Sequence, residues 1–340
     1  MEAYLADIWF ILWALLWGIY FALDGYDFGI GMLVPVLGLG SEKERDTMHL
    51  ATGPFWDGNE VWLITAGGVT FAAFPTAYAV LFSSLYTPLM LLLLALILRG
   101  VSYEFRHQLS DIRWRHFWDL TGAGCGFLAA LLLGVAFSNL FRGLPLDANH
   151  MFQGNILNLL HPYCLLGGVL FVLMFVTHGA IYLTARVSGD LEKKARLTAK
   201  AVWPLFFVCF LLYVLLTFFW AGLYENYFEQ PLLLALPVAC LVAFVASGYM
   251  LYRDEKAMSS FSYSGLGIIL LTLTGVMGMH PNLIPSRLDP INGSLTLLNA
   301  ASTPKTLMIM LVVALIFVPI VIIYQWLVHR KMADKLNPEY

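Results

Sequence analysis

Long apolar runs recur along the chain, separated by short polar segments. They lie at 8–36, 54–74, 78–98, 118–140, 162–185, 203–223, 232–252, 263–280 and 307–328. Each approaches or exceeds the roughly 20 residues that carry a helix across a bilayer. None shows the period-two alternation of a membrane barrel strand. The pattern predicts an all-α polytopic membrane protein of about nine transmembrane helices. The first run is long enough to tilt or to extend past the hydrocarbon. The eighth is short and is followed by HPNLIP. No Pro/Gly/Ser-rich linker interrupts the series, so residues 1–340 read as a single transmembrane domain. The N-terminus lacks a basic n-region and a small-residue cleavage site, so the first run is expected to be retained as a span.

The basic residues orient these spans. With the N-terminus outside, the loops on the opposite side hold Lys43 and Arg45; Arg99, Arg106, Arg113 and Arg115; Arg186, Lys193, Lys194, Arg196 and Lys200; Arg253 and Lys256; and Arg330, Lys331 and Lys335. That leaves only Arg142, Arg287 and Lys305 of the 19 basic residues on the N-terminal side. Basic residues favour the cytoplasmic side. The asymmetry predicts an odd number of crossings, with the C-terminus cytoplasmic.

Composition agrees and excludes other classes. Charged residues make up 12% of the chain, against about 25% in soluble domains. A net charge of −3 gives no electrostatic basis for binding nucleic acid. Cys125, Cys164, Cys209 and Cys240 all lie in apolar runs without a CxxC spacing, as buried free thiols would.

Polar chemistry concentrates between Leu23 and Gly68. The first run contains LDGYDFGIGML and the second begins GPFWDGNEVWLITAGG. Asp24 and Asp27 are three residues apart, as are Asp57 and Glu60, and residues at i and i+3 share a helix face. An ionised carboxylate in hydrocarbon costs about 2.5–3.5 kcal/mol even on the lenient insertion scale. These four therefore need a cation, a proton or water. Asp24 lies about 24 Å along the axis from Ile8, in the cytoplasmic half. Asp57, Arg99 and Glu104 fall at the cytoplasmic ends of their spans. Such a cluster suits a proton or cation entrance, with Arg99 balancing charge and Trp56 and Asn59 ordering the site. Asp57 also has a plain alternative as a helix cap.

Other features have plainer readings. His161 and His280 lie near the outer side and stand as a conceivable haem pair, but the plainer reading of such a pair is chance, and of His178 and His280 an interhelical hydrogen bond. Trp62, Trp114, Trp118, Trp203 and Trp220 fit an interfacial aromatic belt. The run DLEKKARLTAK reads as a basic cytoplasmic loop. No nucleotide fingerprint, HExxH or GxSxG occurs in a suitable context.

The blocks DGYDFGIGML, WDGNEVWLITAGGVTFAAFP, LILRGVSYEFR and GVAFSNLFRGLP closely resemble subunit II of the cytochrome bd quinol oxidases, over essentially the whole chain. The resemblance implies two four-helix bundles plus a peripheral helix in the bacterial cytoplasmic membrane. It implies a homologously folded partner, subunit I, that carries the b-type and d-type haems and oxidises quinol, with no haem and no metal in this chain. It aligns Asp24, Asp57, Arg99 and Glu104 with family positions, whereas the position of Glu60 is Gln in some members. In some members a quinone is a structural ligand of subunit II, and a small single-span accessory subunit is an optional further partner. The expected function is support of subunit I and a cytoplasmic proton pathway for the reduction of oxygen to water. The rival reading is a stand-alone proton- or cation-coupled secondary transporter, whose site would lie nearer the midplane. A bis-histidine cytochrome is a third.

Overall fold

The computed structural model describes residues 2–253, 256–332 and 334–337. In chain order the helices are α1 (Glu2–Leu37), α2 (Glu42–Thr52), α3 (Trp56–Ala73), α4 (Pro75–Ser84), α5 (Tyr86–Phe105), α6 (Ile112–Arg142), α7 (Ile156–Leu159), α8 (Pro162–Arg186), α9 (Gly189–Trp220), α10 (Leu223–Glu229), α11 (Ala235–Tyr252), α12 (Ala257–Met279), α13 (Leu297–Ala300) and α14 (Pro304–Lys331). A two-stranded antiparallel sheet, β1 (Asn282–Ile284) with β2 (Leu295–Thr296), closes the loop after α12. Helices dominate because lipid cannot satisfy backbone polar groups, whereas a helix satisfies its own.

Among the described residues eight single helices are long and apolar enough to cross a membrane, and α3 with α4 forms a pair bent by 119° that supplies a ninth. α1, α3, α5 and α6 pack as one bundle, and α8, α9, α11 and α12 as a second. α1 and α6 join the two by packing on α8. α14 packs mainly against α1 and α3 and is exposed along nearly its whole length, the peripheral helix of the expected architecture.

Lipid gives helices no hydrophobic reason to associate, so contact depends on close backbone approach at small residues. At the α1–α8 crossing a Cβ added to Gly29 would lie 1.9 Å from the Phe175 carbonyl oxygen. From the other side, one on Gly179 would lie 2.7 Å from the Ile30 nitrogen. The α6–α8 crossing uses Gly134 against Gly167 and Gly168 in the same way.

Three segments differ from the hydropathy reading. Residues 78–84, expected at the start of the third span, belong to the separate helix α4; the crossing helix is α5, shifted toward the C-terminus. Pro75 opens α4 at a position that needs no N–H donor, and Phe74 leaves helical geometry. The polar segment between the first two spans contains α2, whose N-cap Ser41 accepts from the Glu44 amide. The basic run 190–200 is the helical start of α9, which at 32 residues extends about 48 Å, more than a bilayer's hydrocarbon core. Lys194 there binds both carboxylate oxygens of Glu44 on α2, at 2.8 and 2.7 Å.

Candidate functional site: a buried ion-paired cluster

α1 carries Asp24 and Asp27 into the first bundle, where both are fully buried. Arg99 of α5, itself buried, holds Asp24 bidentately: Nη1 donates to Oδ2 at 3.0 Å and Nη2 to Oδ1 at 2.5 Å. This planar fork is the strong form of the carboxylate–guanidinium pair. Glu60 of α3 approaches the same guanidinium at 3.6 Å, and the Phe28 ring lies 4.1 Å beneath it. One arginine thus faces two carboxylates.

Asp27 is held differently. Its Oδ2 accepts from the Asn59 side chain at 2.7 Å, and Asn59 also reaches the Tyr26 hydroxyl at 2.9 Å. Its Oδ1 is buried with no hydrogen-bond partner among the described residues, as are Arg99 Nε and Glu60 Oε1. Trp56 stacks on Tyr103 at 5.4 Å and 4°. Glycine at position 100 lets the indole pack close, since an added Cβ would lie 3.2 Å from it.

The structure therefore brings together Asp24, Asp27, Asn59, Glu60 and Arg99, with Trp56 alongside. Two expected residues lie apart. Asp57, in the first turn of α3, is exposed and makes no side-chain cap; the N-cap position belongs to Phe55. Glu104 is exposed near the end of α5, with no side-chain partner among the described residues.

A second cluster was not singled out from the sequence. Arg106, fully buried just past α5, donates from Nε to Asp119 of α6 at 2.6 Å and also binds Asp46 and Glu42 of α2. His49 Nε2 contacts the same Asp119 oxygen at 2.9 Å. Between the clusters lies a cavity of about 10 Å³, bordered by Asp27, Arg99, Tyr103, His49 and Asp119. That is roughly the volume of one water probe. His49 Nδ1 and Asp119 Oδ2 are likewise buried without a hydrogen-bond partner among the described residues, although Arg45 of α2 approaches Asp119 Oδ2 at 3.7 Å. The sequence signal was an acid, Asp119, at the start of an apolar run, together with the helical charge pattern EKERDTMH.

The histidines singled out from the sequence lie in separate settings. His178 is buried with both ring nitrogens engaged, Nδ1 with the Ser264 hydroxyl at 2.9 Å and Nε2 with the Ala22 carbonyl at 3.0 Å. His280 pairs with Asp7 at 3.1 Å, whereas His161 caps α8 and packs on Trp220. A larger cavity of about 340 Å³ lies in the second bundle, among Phe171, Phe210, Tyr213, Tyr224, Tyr227 and Leu241. The three tyrosine hydroxyls are already bonded to Ser138, Val214 and Thr274, so its walls are essentially apolar.

Fold and cluster together define a polytopic helical membrane protein with ion-paired acids near one end of its first bundle. The sequence profile of the cytochrome bd terminal oxidase subunit II family matches residues 5–332. The chain is 35% identical over 339 residues to the cytochrome bd ubiquinol oxidase subunit 2 of Bacillus subtilis, covering 99% of each. It is 34% identical over 363 residues to the cytochrome bd-I ubiquinol oxidase subunit 2 of Escherichia coli K12, covering 98% of this chain and 95% of the relative. Its fold matches a chain in the structure of bd oxidase from Geobacillus thermodenitrificans with a TM-score of 0.81 at 18% identity, over 96% of this chain and 98% of that one. The chain belongs to the cytochrome bd terminal oxidase subunit II family, and is a multi-pass membrane protein of that bacterial oxidase.

Proposed function

We propose that this chain serves its quinol:oxygen oxidoreductase as the haem-free subunit, supporting the haem-bearing subunit I and leading protons to it from the cytoplasm. As a subunit II it works with a subunit I in a haem-containing complex, not as a stand-alone transporter. The haems supply electron transfer and oxygen chemistry, and we assign them to the partner; the engaged nitrogens of His178 support this. The orientation follows the basic residues, with the N-terminus outside. Protons used to form water then come from the cytoplasm while quinol releases its protons outside, which separates charge without a pump.

The observation that carries the proton role is the cavity between the two charge clusters. It is the size of one water and adjoins Asp27, whose Oδ1 has no other partner. Asp27 is the better carrier, because both oxygens of Asp24 are taken up by the Arg99 guanidinium whereas Asp27 Oδ1 has no hydrogen-bond partner among the described residues. Asp57 and Glu104, exposed toward the same end, collect protons at the mouth. Glu60 shares Arg99 with Asp24 and supports the passage. A cation in place of protons is the alternative for the same acids. A structural quinone, where one is bound, fits the apolar cavity of the second bundle. Membrane lipid surrounds the chain, and a small accessory subunit is an optional member of the complex.

The test compares Asp27→Asn and Asp57→Asn in the assembled complex. Both are expected to slow oxygen uptake with quinol while leaving the haem spectrum intact, Asp27→Asn more severely. Unchanged uptake in both variants would remove the proton role.

A further inference from the structure

We infer that Arg142 and Arg287 form a binding site for the phosphodiester of an anionic phospholipid, in the leaflet on the N-terminal side of the bundle. Only three basic residues occupy that side in the proposed topology, and the fold places two of them together. Backbone pairing does this: the Leu144 amide donates to Pro285 O at 2.9 Å, and the Arg287 amide donates to Leu144 O at 3.0 Å. Gly143, next to Arg142, lies so near that an added Cβ would meet the Arg287 Cβ at 3.6 Å.

Neither guanidinium has a hydrogen bond or ion pair among the described residues, though both side chains are partly buried. The nearest acids in sequence are committed elsewhere. Asp147 accepts from the amides of Asn149 and Met151 and from Gln153. Asp289 accepts from the Asn292 amide and side chain. Burial, and then the charge of Arg142, push the Arg287 guanidinium down from its ordinary pKa. Burial and the same two arginines hold the His161 imidazole down, so it adds no charge of its own. Two like charges withdrawn from water without a counter-ion are costly, and an anion between them removes that cost.

The surroundings select a lipid. α6 ends at Arg142, α8 begins after His161 and α9 ends at Trp220, so three span ends meet at one level. The Trp220 ring lies 6.0 Å from the Arg142 guanidinium and 4.6 Å from the His161 ring. Trp220 itself is half exposed, beside exposed Phe218 and Phe219. Indole beside arginine at a span end is the pattern of a headgroup-level anchor.

The test measures phosphatidylglycerol retained by the whole two-subunit complex in neutral detergent, by native mass spectrometry. Arg142→Gln/Arg287→Gln should weaken retention by about thirtyfold, from two arginines near the surface. Lys305→Gln, an exposed cation on the same side, should leave it unchanged. In the wild-type complex, retention should fall with added salt, a readout that needs no variant. Arg142→Lys/Arg287→Lys should retain the lipid if the glutamine pair fails to assemble, as judged by the haem spectrum. Equal retention by wild type and the glutamine pair, or retention indifferent to salt, would overturn the inference. Full displacement by equimolar inorganic phosphate would overturn the assignment to lipid in favour of a soluble-anion site.

Discussion

Arg99→Met isolates what holds the buried acids in place. Asp24 has no other cation partner among the described residues, and both side chains are almost wholly buried. Removing the guanidinium leaves Asp24 charged in a low-dielectric site or forces it to take up a proton. Breaking a buried pair in this way costs about 3–5 kcal/mol. Asp24→Asn is not the mirror image, because Arg99 keeps Glu60 at 3.6 Å. The loss there is closer to that of a hydrogen bond to a charged group, about 1.5–3 kcal/mol. The pair Asp24→Asn/Arg99→Met removes both charges and should be more stable than Arg99→Met alone. The assay is thermal inactivation of the purified complex followed by its haem absorbance. Arg99→Met should lower the midpoint by roughly 5–15 °C on the scale of soluble domains, and Asp24→Asn by clearly less. Equal losses from the two single variants, or no recovery in the double variant, would refute the asymmetry and with it the sharing of Arg99 between two acids.

Further predictions rest on separate contacts. Gly29→Ala drives a methyl group into the Phe175 carbonyl; it should part α1 from α8 and sharply reduce the yield of assembled complex, whereas Gly67→Ala, which meets open space, should not. Arg106→Gln removes the arginine nearest the buried Asp119 and its ties to Asp46 and Glu42 of α2, leaving Arg45 at 3.7 Å and His49 at 2.9 Å on that carboxylate, so it should destabilise the complex by several kcal/mol, about the cost of breaking a buried pair. Lys194→Gln, which removes a pair between a half-exposed lysine and a mostly buried Glu44, should cost less than Arg106→Gln; thermal midpoints of the two variants should separate clearly.

Which parts of this were legible in the sequence follows from the physics of each. The spans were, because bilayer thickness imposes a length that hydropathy records directly. The acid pair on α1 was also legible: its spacing places Asp24 and Asp27 on one face, and a lipid-facing position for two carboxylates is too costly. The same spacing on α3 misled in part, since Glu60 turns to Arg99 while Asp57 faces out. Position in the first turn left Asp57 free of the neighbours that bury Asn59. Glu104 and Arg106 are two residues apart near the end of α5, yet Arg106 is buried and Glu104 is not. That difference is decided by α2 and α6, which sequence spacing does not locate. α2 itself is short, polar and stabilised by its Ser41 cap and ion pairs, so hydropathy passes over it. The break at Phe74–Pro75 is marked by the proline, but the segment's uniform apolarity masks the bend.

The most direct test of the proton role is proton uptake from the cytoplasmic side of the reduced complex during its reaction with oxygen, in vesicles of defined orientation. Uptake by wild type should track oxygen reduction, and in Asp27→Asn it should lag behind it while the haems remain spectrally intact. Uptake in the variant as fast as in wild type would contradict the account and place the pathway outside this cluster.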